Sequence, residues 1–225
     1  MTRRANARIA GLALLLYFAL GIPTMVLLNG ATKGHGVEAK LANLAHHTGD
    51  ARLAVLFVLC TSLCALVLGV TLWSLTREQD ESLAMLGLAC RVCEGLAGAI
   101  ALQRTMGLLW LAGPDAPDAA TTRTLGSWLL EGQVSGVGAI FFAVGSLLFA
   151  WLLLRGRAIP APLAWLGVVT SAAAVVALPL EFVDLFPSRW IWYVWLPLAA
   201  YEVPLALWLL VKGAAAPTAR SAMAA

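Results

Sequence analysis

Charge is what this chain has least of. Only 12% of its 225 residues are Asp, Glu, Lys or Arg, against about 25% in an ordinary soluble domain. With a mean hydropathy of +0.85, that scarcity excludes a water-soluble globule and identifies a membrane bundle. Histidine is scarcer still, with three residues, His35, His46 and His47, all in one loop. An intramembrane zinc hydrolase or a bis-histidine haem site needs histidine inside a span, so neither is expected. The chain also lacks a G-x-S-x-G elbow, an H-E-x-x-H helix, a phosphate-binding glycine loop and a dinucleotide fingerprint. No enzyme chemistry and no cofactor are expected from it. Residues 1 to 112 do not resemble residues 113 to 225, which disfavours a two-fold repeated secondary transporter. The net charge of +3 comes from basic residues scattered through loops, with no basic stripe interleaved with aromatics, so no nucleic-acid partner is implied.

What is present is six long apolar runs. Hydropathy windows of about 20 residues place spans at 9–28, 53–75, 83–111, 127–154, 161–180 and 190–211. The expected fold class is therefore all-α, an integral membrane six-helix bundle formed by a single domain over residues 1–225. Three arginines precede the first run, but that run is longer than the 7–15-residue core of a cleavable signal and no clear A-x-A site follows it, so an uncleaved first helix is expected. With the N-terminus inside, the inner segments hold Arg3, Arg4, Arg8, Arg77, Arg155, Arg157, Lys212 and Arg220. The outer segments then hold Lys33, Lys40, Arg52, Arg123 and Arg189. Eight against five favours both termini inside, in the inner membrane of a bacterium. Tryptophan agrees, with Trp73, Trp151, Trp165 and Trp208 near inner ends and Trp110, Trp128, Trp190, Trp192 and Trp195 near outer ends, as an interfacial belt requires.

The third span carries Arg91, Glu94 and Arg104, charges that cost roughly 2.5–3.5 kcal/mol each at a helix centre and therefore need partners. Counting at about 1.5 Å per residue, Arg91 and Glu94 lie roughly 12 and 17 Å from the inner end of their helix, and Glu202 of the sixth span about 14 Å from its own. The three are level. Arg91 and Glu94 share a helix face at three-residue spacing, so two carboxylates compete for one guanidinium. Pro204 frees the Ala200 carbonyl near the same level. A second layer nearer the outer end joins Gln103 and Arg104 to Glu131 and Gln133, with Arg104–Glu131 the preferred pair. Both layers admit two readings: polar pairs that fix helix register in hydrocarbon, or a pathway for a ligand or proton.

Weaker patterns surround this core. The loop 29–52 repeats Val37, Leu41 and Leu44 at helical spacing, which predicts a short amphipathic helix at the membrane surface. Its His46, His47 and Asp50, with His35, are a poor metal set, because adjacent histidines on a helix point about 100° apart. Cys60-x-x-x-Cys64 and Cys90-x-x-Cys93 could form a membrane dithiol, but small apolar side chains in close packing are the plainer reading. Gly132-x-x-x-Gly136, then Gly138 and Gly145, allow a backbone to approach closely, from a helix of the bundle or from a second copy in a homodimer. Pro179 with Glu181 and Asp184 marks a kinked outer end with an acidic lip.

Several stretches together carry a resemblance: Arg8-Ile9-Ala10-Gly11-Leu12, Arg91-x-x-Glu94, Gly145-Ser146-Leu147-Leu148-Phe149, Arg155-x-Arg157-x-Ile159-Pro160 and Glu202-x-x-x-Ala206-Leu207-Trp208-Leu209-x-x-Lys212-Gly213. In order and spacing the chain resembles, over nearly its whole length, the bacterial membrane family catalogued as domain of unknown function 4386. The resemblance implies six helices, no assigned activity, and an asparagine, a histidine and an arginine around the first outer loop, which Asn43, His47 and Arg52 supply. The cysteines are outside that pattern. The functional expectation is a non-enzymatic protein of the lipid bilayer that binds a small molecule, lipid or partner protein through its polar core. A proton-linked carrier or channel using Arg91, Glu94 and Glu202 is the alternative, and a thiol redox protein the second.

Overall fold

The computed structural model describes residues 2–131 and 136–215, leaving aside the side chains of Glu131 and Ser188. The described residues form eight α-helices, a 3-10 turn at Ser188–Trp190 and no strand. The helices are α1 (Arg3–Ala31), α2 (Gly36–His46), α3 (Thr48–Thr76), α4 (Glu81–Leu111), α5 (Ala119–Glu131), α6 (Gly136–Arg155), α7 (Ala161–Phe182) and α8 (Trp192–Val211). Six of them, all but α2 and α5, are long and apolar enough to cross a membrane. The long helices outrun the hydropathy windows because helical backbone continues past the hydrocarbon: the 29 residues of α1 rise about 43 Å, against about 30 Å of core.

The expected fourth span over 127–154 is described on both sides of residues 132–135, with 127–131 in α5 and Gly136–Arg155 forming α6. Both pack on α4 in one antiparallel register, Gly126 near Leu111, Leu129 near Gly107, Gly138 near Ala97 and Gly145 near Cys90.

The six long helices close a ring in which each touches the next, in the order α1, α3, α4, α6, α7, α8 and back to α1. Small residues make most seams. A Cβ on Gly11 of α1 would stand 2.5 Å from the Ala206 carbonyl oxygen of α8, and one on Gly145 of α6 3.3 Å from Cys90 Cβ of α4. Tyr201 of α8 lies flat against Gly167 of α7, and Phe182 of α7 against Gly136 of α6. The α1–α3 seam instead uses a hydrogen bond from Asn6 Nδ2 to Ser74 Oγ at 2.6 Å. This is how helices associate in lipid, where backbones must come close because burial from water supplies little. Gly136, Gly138 and Gly145 are all used inside the ring, against Phe182, Ala97 and Cys90; Gly132 lies outside the described residues.

The start of α1 and the segment after α8 meet at one end of the ring. Arg3 Nε donates to the Ala215 carbonyl at 3.0 Å, Arg3 pairs with Glu78 at 3.5 Å and Arg155 with Asp80 at 3.7 Å. Asp80 also caps α4, accepting from the Leu83 amide. Gly213 ends α8 at φ 79°, a left-handed conformation suited to glycine. The other end is covered by α2 and α5. Leu41 and Leu44 of α2 pack with Ala31, Ala51, Leu108 and Leu111, so the amphipathic helix spends its apolar face on the ends of α1, α3 and α4.

Candidate functional site

The ring brings α4, α6 and α8 to a common centre, and the level charges meet there. Arg91 Nη1 donates to Glu94 Oε2 at 2.9 Å, and Arg91 Nη2 stands 3.7 Å from Glu202 Oε1. Between the last two lies Ser146 of α6, whose Oγ accepts from Arg91 Nη2 at 2.8 Å and donates to Glu202 Oε1 at 2.8 Å. The guanidinium also covers the Phe142 ring, 4.7 Å from its centroid. Room for it comes from Gly69 of α3, where any Cβ would stand 2.8 Å from Arg91 Cβ. Arg91, Glu94 and Glu202 are 2%, 6% and 1% exposed. Three buried polar atoms of this knot, Arg91 Nε, Glu94 Oε1 and Glu202 Oε2, have no hydrogen-bond partner among the described residues.

Above the knot, toward the α2–α5 end, is a cavity of about 270 Å³. Glu94 forms its floor, small residues of α4 and α6 (Ala97, Gly98, Ala101, Gly138 and Ala139) open its walls, and Tyr17, Phe142 and Trp195 line it. Tyr17 stacks on Phe142 at 6.2 Å and 14°, and Trp195 tilts against Phe142 at 5.8 Å. On the termini side the ring is filled by Leu68, Leu72, Leu75, Phe149, Leu153 and Leu209. The cavity is therefore closed on the termini side.

Beyond Ala101 a second cavity of about 390 Å³ reaches Arg104, Thr105, Lys40 and Asn29. The outer polar layer is described only in part. Arg104 Nε donates to the Leu129 carbonyl and Nη2 to the Leu130 carbonyl at 2.7 Å, so it ties α5 to α4. The expected Arg104–Glu131 pair, and Gln133, lie outside the described side chains. Gln103 is exposed on the ring's outer surface, because one residue from Arg104 turns about 100° around the helix; it does not join the layer.

In the first loop, Asn43 Nδ2 donates to the carbonyls of Gly30 and Ala31 at 2.9 Å each, capping α1 from α2. His47 Nδ1 lies 2.9 Å from the Asn43 carbonyl oxygen, and Arg52 is exposed. His35 and His46 are exposed too, and among the described residues no three His, Cys, Asp or Glu side chains gather as a metal site requires. Glu38 of α2 pairs with Arg123 of α5, and that hydrogen-bonded guanidinium holds the Glu38 carboxyl below its ordinary range. The four cysteines are free thiols, Cys60 exposed and Cys90 buried against Gly145.

Ser146, Tyr17, Phe142 and Trp195 were not singled out as site residues. A serine in mid-span, about 14 Å from the Arg155 end of α6, is a detectable signal, since a hydroxyl in hydrocarbon seeks a partner. The aromatics carry no comparable signal. Trp195 reads as an interfacial residue, yet it turns inward onto Phe142 while Trp110, Trp128, Trp190 and Trp192 stay exposed.

A closed ring of six apolar helices around a buried ionic knot defines a multi-pass membrane protein with a polar centre. Residues 9–213 match the family described as domain of unknown function (DUF4386), and the chain belongs to that family. No curated protein and no solved structure gives a match.

Proposed function

We propose that the protein sits in the bacterial cytoplasmic membrane with both termini inside, and binds a small molecule or a lipid in the central cavity without chemically changing it. The observation that carries this reading is the cavity floor. A membrane helix bundle that needed Arg91, Glu94 and Glu202 only for packing would close around them, because each unpartnered polar atom in hydrocarbon is costly. Here a cavity of about 270 Å³ ends on Glu94, whose Oε1 lacks a partner. Such concave, mainly apolar space with a few convergent polar groups is the general form of a ligand site. The test is to fill it. Ala97→Phe, purified alongside the wild type, should lose a copurifying molecule detected by native mass spectrometry while keeping its helical content. Equal bound mass in both proteins would overturn the reading.

The proton-linked carrier is the second reading, and one observation favours it: two carboxylates share the single Arg91 guanidinium, an arrangement in which one of them can release or take up a proton as the other keeps the pair. It predicts uptake into proteoliposomes that depends on a pH gradient and vanishes in Glu202→Gln. A thiol redox role predicts instead that alkylation stops activity, and a cysteine-free variant with full ligand binding would dismiss it.

A further inference from the structure

The chemistry of the ligand can be read further, on the footing of the binding role just proposed. Among the described residues, the ion pairs of Glu94 and Glu202 both run to Arg91. With both carboxylates ionised the knot holds one negative charge in excess, and the groups that face it from the other helices, Tyr17, Ser146 and Phe142, are uncharged. Glu94 lines the cavity, and its Oε1 is buried without a hydrogen-bond partner among the described residues. Charge of that kind in a low-dielectric interior calls for a cation.

The walls say which kind. Tyr17, Phe142 and Trp195 surround the space above Glu94, and aromatic faces attract ammonium groups, most strongly when water is excluded. An inorganic cation would exchange several water ligands for one carboxylate oxygen, a poor trade for ions that take six or more oxygens. Anions are repelled by Glu94. A second space adjoins the cavity across shared side chains. Tyr17 and Trp195 belong at the same time to an apolar chamber of about 410 Å³ between α1 and α8, lined further by Phe18, Gly21, Ile22 and Met25. That chamber has no charged side chain in its lining and suits hydrocarbon.

We propose that the cavity binds an organic ammonium ion carrying an apolar tail, its head against Glu94 within the Tyr17–Phe142–Trp195 wall and its tail lying between α1 and α8. Head and tail are thus read by different residues, which makes them separable.

The experiment is calorimetric titration of the full chain in maltoside detergent with hexyltrimethylammonium, tetramethylammonium, 1-hexanol, hexanoate and dioctanoyl phosphatidylcholine. Hexyltrimethylammonium should bind at least tenfold more tightly than hexanol or hexanoate. Glu94→Gln should bring its affinity down to that of hexanol and leave hexanol unchanged. Gly21→Leu fills the chamber without a clash, since a Cβ at Gly21 meets nothing within 4 Å, and should reduce hexyltrimethylammonium to the affinity of tetramethylammonium. Phosphatidylcholine binding as tightly as hexyltrimethylammonium identifies a lipid headgroup as the source; weaker binding identifies a free amine, and either supports the site. Equal affinities for hexyltrimethylammonium and hexanol in the wild type, or an unchanged affinity in Glu94→Gln, would overturn the ammonium assignment while leaving a ligand cavity in place. No binding of any probe would remove the cavity reading as well. If Glu94→Gln does not fold, the wild-type ranking of head groups and the Gly21→Leu comparison decide.

Discussion

At the scale of single residues, the knot is asymmetric in what its members can lose. Removing Arg91 leaves two buried carboxylates without their cation, whereas removing Ser146 takes a hydrogen bond from Glu202 but leaves the Arg91 guanidinium 3.7 Å from it. Breaking a buried ion pair from one side costs about 3–5 kcal/mol, and losing a buried hydrogen-bonding partner about 1–3 kcal/mol. Arg91→Ala should therefore unfold at markedly lower denaturant than Ser146→Ala, with the wild type above both, in titrations followed by circular dichroism. Equal stability of Arg91→Ala and wild type would remove the knot from the account of the fold. The Glu38–Arg123 pair behaves in the opposite way, since both side chains are exposed and salt screens them. Glu38 is held below its ordinary carboxylate range, so its stabilising contribution is complete above that range and disappears as pH falls through the lowered value. Glu38→Gln should be slightly less stable than wild type at pH 7 and low salt. The difference should vanish in strong acid, and in molar salt.

At the scale of elements, two glycines on α1 separate packing from propensity. A Cβ at Gly11 would stand 2.5 Å from the Ala206 carbonyl oxygen and 2.7 Å from the Leu210 amide nitrogen, backbone atoms that cannot rotate away. A Cβ at Gly21 meets nothing within 4 Å. Gly11→Ala should destabilise by about 1–3 kcal/mol through overpacking of the α1–α8 seam, and Gly21→Ala should be neutral or stabilising by about 0.5–1 kcal/mol, both read from thermal denaturation in detergent. A tolerated Gly11→Ala would mean that α1 and α8 are further apart than described. Asn43 acts at the same scale, because its amide holds α2 on the last carbonyls of α1. Asn43→Ala should leave the six spans intact and increase hydrogen exchange over 36–46. Unchanged exchange there would show that Leu41 and Leu44 suffice to dock α2.

For the whole molecule, the ring closes through its first and last helices, and Arg3 bonded to the Ala215 carbonyl keeps the start of α1 and the segment after α8 on one face. The proposed orientation rests on charge. The termini face carries the larger share of arginine and lysine, so fluorescent fusions at either end should glow in the cytoplasm. Alkaline phosphatase inserted after Gly34, between α1 and α2, should be active outside. The reverse pattern at the insertion would turn the bundle over.

Six spans, the level of Arg91, Glu94 and Glu202, and a helix around Leu41 and Leu44 were legible in the sequence because each depends on local periodicity, helical rise and the cost of charge in hydrocarbon. These quantities accumulate along one chain. Ser146 as the bridge between Arg91 and Glu202, Gln103 turned outward and Trp195 turned inward depend on which helices are neighbours and how each is rotated. Only closure of the ring decided that, since rotation is set by small-residue seams such as Gly11 on Ala206 and Gly145 on Cys90, contacts between residues far apart in the chain.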